Sequence, residues 1–126
     1  MDSNLAKRLE ILKHAGEIDV KIHDSVQYFL GILEQKYDIQ LTAHNGAALV
    51  THLAMALARI DKGKDVQGMS SQLMSEVEKS KYYNDLTPLI VELERHSGLV
   101  IPDSEQGYLA LHLASLLENI KGGENE

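Results

Sequence analysis

The pattern Leu-x-x-His-Leu-Ala-x-x-Leu occurs twice, as Leu49-Val-Thr-His52-Leu53-Ala54-Met-Ala-Leu57 and as Leu109-Ala-Leu-His112-Leu113-Ala114-Ser-Leu-Leu117. At about 100° per residue, Leu49, Leu53, Ala56, Leu57 and Ile60 fall on one helix face, as do Leu109, Leu113, Leu116, Leu117 and Ile120. Both segments therefore need helical neighbours to cover their stripes. Each histidine stands at the edge of its stripe, where packing holds one side of the ring and a nitrogen still reaches solvent.

The other long apolar patterns have the same period. Leu5, Leu9 and Leu12 mark a short leading helix that stops near Gly16. Ile18, Ile22, Val26, Phe29, Leu30, Leu33 and Tyr37 predict a helix over about 18–37. Thr42 is placed to cap the first histidine helix, which closes at Gly63. Met69, Leu73 and Val77 suggest a more polar helix, and Lys81-Tyr82-Tyr83-Asn84-Asp85 reads as a turn. Leu86, Leu89, Ile90 and Leu93 define another helix, with Pro88 in its first turn and Gly98 at its end. Asp103-x-x-Gln106 resembles a capping box opening the second histidine helix. Leu99-Val-Ile-Pro102 is too short for a sheet and reads as an extended connector that plugs the core. The expected fold is all-α: a helical extension over 1–17, a helical domain over 18–121 and a flexible acidic tail over 122–126.

Bulk properties narrow the function. The 126 residues suit one domain and one core. Aromatic residues make up only 5% against 44% hydrophobic overall, so aliphatic packing between helices must supply the core. The formal charge of −7 opposes nucleic-acid backbones and anionic membrane surfaces, so no direct nucleic-acid or membrane partner is expected. There is no cysteine, hence no thiolate zinc site or cysteine nucleophile, which fits a reducing compartment. No signal-peptide core and no apolar run near about 18 residues is present, and a cytoplasmic location is expected. Phosphate-loop, dinucleotide, zinc-protease and serine-hydrolase motifs are also missing, so no enzyme, cofactor or metal is expected.

Six histidines carry the remaining chemistry. His14 and His96 fall in last helical turns, where an imidazolium suits the helix dipole. His23 and His44 have no matching partner in sequence and read as partly exposed surface residues. His52 and His112 share matching neighbours. Arg59 lies two turns after His52 on the same face, and Glu105 lies two turns before His112. A neutral imidazole can attack a phosphoryl group, and a guanidinium can bind the resulting dianion. Two imidazoles could instead ligate a metal, given a third ligand.

These residues resemble the PTS regulation domain, the helical module of bacterial antiterminators and activators governed by the sugar phosphotransferase system. The similarity rests on Leu49-Val-Thr-His52-Leu-Ala-Met-Ala-Leu-Ala-Arg59-Ile and on Pro102-Asp-Ser-Glu105-Gln-Gly107-Tyr108-Leu-Ala-Leu-His112-Leu, and it spans about Ile18 to Lys121. It implies a compact five-helix bundle, here with an extra N-terminal helix, in which the two histidines approach each other near a surface. It further implies that His52 and His112 accept phosphate from HPr or an enzyme IIB component, and that phosphorylation shifts dimer packing. Arg59 would support the phosphate charge, Glu105 would orient or cap, and Gly107 would permit close packing at the helix start. Family regulators usually carry two such domains beside a nucleic-acid-binding domain, whereas this chain has one, so its output would pass through a partner or a homodimer. Asn84 stands where the family commonly has proline. Two other readings remain: a histidine phosphotransfer relay, against which stands Met55-Ala56 where a Lys-Gly would be expected, and a helical interaction subunit that is never phosphorylated.

Overall fold

In the computed structural model, residues 1–64 and 71–124 are described, with side chains described outside Ser71 and 121–124. They form six α-helices: α1 (Ser3–His14), α2 (Val20–Tyr37), α3 (Ala43–Asp61), α4 (Ser71–Glu78), α5 (Leu86–Ser97) and α6 (Asp103–Glu124). A 3-10 turn over Tyr83–Asp85 leads into α5, and no strand occurs among the described residues. The all-α bundle is thus five helices plus a leading one. Met69, expected to open α4, lies outside the described residues.

The helix ends follow local chemistry. Asp2 and Asp19 each accept a backbone N–H three residues on, from Leu5 and Ile22, both at 2.8 Å. Thr42 and Asn45 form a reciprocal box: Thr42 Oγ1 accepts the Asn45 N–H at 3.2 Å, and Asn45 Oδ1 accepts the Thr42 N–H at 2.8 Å. α5 ends at Gly98 in the left-handed region, with φ +74°. α6 starts differently from the expected Asp103 cap. Asp103 is already helical, the Gln106 N–H bonds the Pro102 carbonyl at 2.9 Å, and the Gln106 side chain donates back to the Ile101 carbonyl at 2.8 Å. Its far end continues through Gly122 and Gly123, where the sequence placed the start of a tail.

The core is aliphatic. Leu30, Leu33, Leu41, Leu53, Leu57, Leu93 and Leu117 have no exposed surface. Helices α3 and α6, which carry the two histidine motifs, form the most extensive helix pair. The Leu99–Pro102 connector enters the core through Ile101, whose N–H is held by Glu94 at 2.8 Å, with Leu99 partly buried against the same core, while Val100 is 80% exposed.

The first helix is built into this core. Leu5 and Leu9 are fully buried, and α1 packs on α3 and α2. The Asp2 N–H donates to the Leu41 carbonyl at 3.0 Å, and the Met1 ammonium contacts Glu34 Oε2 at 2.6 Å. Close approach is permitted by Gly46 on α3: a Cβ there would meet Leu5 Cδ2 at 3.3 Å. Residues 1–17 therefore complete the domain's own core, which spacing within that segment could not reveal.

Candidate functional site

Facing positions on α3 and α6 bring His52 and His112 together. Their rings stack with centroids 4.4 Å apart and planes inclined by 29°. The equivalent place of each histidine at the edge of a leucine stripe produces this meeting: Leu49, Leu53 and Leu57 bury one side of α3, Leu109, Leu113 and Leu117 one side of α6, and the histidines lie where the two buried faces adjoin solvent. Both side chains are partly buried. Tyr108, to which the sequence reading gave no role although it lies within the second motif, sits against the same pair, 6.0 Å from the His52 ring centre.

Beside His52 lies an ion pair. Arg59 Nη2 donates to Glu105 Oε1 at 3.0 Å, although the two residues are 46 positions apart. The other carboxylate oxygen, Oε2, is 3.7 Å from His52 Nε2, within ion-pairing range but longer than a hydrogen bond. Glu105 is only 2% exposed, and its Oε2, His52 Nε2 and Arg59 Nε are sealed polar atoms with no hydrogen-bond partner. Helical phase along each single helix placed Arg59 with His52 and Glu105 with His112. Across the interface the structure joins Arg59 to Glu105 and turns Glu105 toward His52. Gly107 is buried one turn before His112's own turn, beside Tyr83 and Leu86.

The electrostatics favour neutral imidazoles. Burial lowers the His52 pKa, with His112 and Arg59 adding to the effect and Glu105 opposing it. Burial likewise lowers that of His112. At neutral pH each ring therefore keeps an unprotonated nitrogen, the form that acts as a nucleophile. No group of three or more metal-ligating side chains capable of holding an ion occurs among the described residues.

The other histidines are dispersed. His14 is exposed at the end of α1, and His44 is exposed in the first turn of α3. His96 stacks on Tyr28 with centroids 4.4 Å apart, and its Nδ1 meets Ser25 Oγ at 2.9 Å. His23 departs from the expected surface position. It is 6% exposed between Glu10 and Asp24, each 3.1 Å from one of its ring nitrogens. The docking of α1 covers it, a long-range effect without a local sequence signal.

The described residues form an all-helical bundle that presents paired histidines on adjacent helices. Residues 27–116 match the family model of the PRD domain, and the chain belongs to that family. It is 28% identical over 109 residues to an uncharacterized protein, YhfY, of Escherichia coli strain K12, covering 86% of this chain and 91% of that one. It is 23% identical over 113 residues to an uncharacterized protein of Haemophilus influenzae, covering 90% of each. No solved structure matches it. No described helix is long and apolar enough to cross a membrane.

Proposed function

We propose that this protein is a stand-alone regulatory module of the sugar phosphotransferase system, phosphorylated on His52 or His112 by HPr or an enzyme IIB component and/or docking one of those proteins. The modification would act on transcription or antitermination through a partner protein or through the chain's own dimer interface. One observation carries the reading: two histidines held neutral by burial stack at the solvent edge of facing helices, with His52 facing the buried Glu105 of a partly exposed Arg59–Glu105 pair. Neutral rings are competent nucleophiles. The Arg59 guanidinium, close enough to His52 to lower its pKa, supplies the donor chemistry that a phosphoryl dianion requires.

The test is incubation with enzyme I, HPr and phosphoenolpyruvate, with and without an enzyme IIB component, followed by intact mass measurement at neutral or alkaline pH. Phosphohistidine is acid-labile, so the pH of the measurement decides whether it survives. A phosphoryl mass increment that disappears in the His52→Ala/His112→Ala protein is the expected result. An unmodified mass with every donor would leave the interaction-subunit reading in its place.

A further inference from the structure

The two ring nitrogens of His52 have different surroundings. Nε2 is sealed from solvent and lies 3.7 Å from Glu105 Oε2, whereas Nδ1 is not among the sealed unpartnered atoms of this side chain, which is 22% exposed. Glu105 is itself immobilised, because Arg59 holds Oε1 at 3.0 Å and leaves Oε2 for the ring. A carboxylate facing one imidazole nitrogen favours the tautomer that carries its proton there, which puts the lone pair on the other nitrogen. We infer that His52 takes its phosphoryl group on Nδ1 alone, with Glu105 as the positioning residue that keeps the ring proton on Nε2. This rests on the reading of His52 as a phosphoacceptor.

The step balances with a phosphohistidine, or any other phosphoramidate, as donor. The Nδ1 lone pair attacks phosphorus while the donor's N–P bond breaks, and that bonding pair returns to the donor nitrogen. The proton already on Nε2 stays in place. The His52 ring becomes a cationic imidazolium carrying phosphate on Nδ1, and its new positive charge faces the Glu105 carboxylate. The 3.7 Å separation shortens as that charge develops, in the way that catalytic contacts in resting sites tighten on reaction. A buried carboxylate with an unpartnered oxygen thus gains its partner in the modified state. His112 has no carboxylate within ion-pairing distance among the described side chains, so this control belongs to His52.

Two measurements test the inference without any protein donor. Long-range 1H–15N NMR of the unmodified protein should show His52 as the Nε2–H tautomer, with that population falling in Glu105→Gln while circular dichroism stays unchanged. An Nδ1–H tautomer in the wild type, or a tautomer indifferent to Glu105→Gln, would overturn the assignment. Potassium phosphoramidate should then label His52 of the His112→Ala protein as the Nδ1 isomer, with loss of the Nε2 isomer below detection. The Nε2 isomer at His52, or no label there while exposed His14 and His44 react, would also overturn it. Labelling at Nδ1 by phosphoramidate but not by HPr or enzyme IIB would retain the inference and refute the proposed donors.

Discussion

At the scale of single residues, the site joins neutral imidazoles to a partly buried charge pair, and the two respond to different perturbations. Because burial holds the His52 and His112 pKa values below the ordinary 6.5, the unfolded chain binds more protons than the folded one in mild acid. Their contribution to stability is complete above pH 6.5 and is lost as the pH falls through the folded-state values. Urea unfolding of wild type and of His52→Gln/His112→Gln across this range should show a shallower acid loss in the double variant. The ion pair predicts an asymmetry. Arg59→Met leaves the Glu105 carboxylate buried and unpaired, whereas Glu105→Gln leaves a neutral amide beside a partly exposed guanidinium. We expect Arg59→Met to cost about 3 kcal/mol, the lower end for breaking a buried pair because Arg59 reaches solvent, and Glu105→Gln to cost less. Denaturation midpoints at neutral pH measure both. The reverse order would overturn this asymmetry.

At the scale of elements, helical periodicity located α1, α2, α3, α5 and α6 because each buries an apolar stripe, whereas α4 buries Val77 and leaves Leu73 exposed, and Gly63 and Gly98 mark ends where the backbone takes positive φ. The meeting of His52 and His112 was also legible, since each holds the same phase relative to its own leucines. What the sequence left open was register between helices. Phase along α3 says which residues share a face with His52 but not which level of α6 lies opposite, so the Arg59–Glu105 contact and the turning of Glu105 toward His52 emerge only from packing. The docking of α1 was hidden for the same reason, and with it the burial of His23. Its contribution is testable at two positions. Leu9→Ala removes a fully buried side chain and should cost about 2–5 kcal/mol. Gly46→Val should cost about 1–3 kcal/mol by pushing Leu5 away from α3. Thermal unfolding of both variants checks this, and near-wild-type midpoints would show that α1 contributes little to the fold.

At the scale of the whole molecule, charge decides how many phosphates the bundle tolerates. The protein starts at −7, and each phosphoryl group adds about −1.5 to −2. The His52 and His112 rings are stacked 4.4 Å apart, and the Arg59 guanidinium already faces Glu105. A second phosphate therefore meets the first at close range with little free positive charge to separate them. Native mass spectrometry of the phosphorylated protein should show singly modified chains dominating, with any doubly modified species in an altered oligomeric state. Equal accumulation of the doubly modified form with unchanged assembly would overturn this. The way α1 is woven into the bundle has a separate consequence for where this domain begins. The matched family segment starts at Gln27, within α2, and stops at Leu116, within α6. A fragment cut at those limits would lose Leu5, Leu9, Ile18, Ile22 and Val26 from one side and Leu117 from the other, leaving α3 with a bare apolar flank. Such a fragment would bind hydrophobic dyes and unfold without a sharp transition. The segment that the family model recognises is thus smaller than the unit that buries this core, and a cut within the first seventeen residues opens that core from the α1 side.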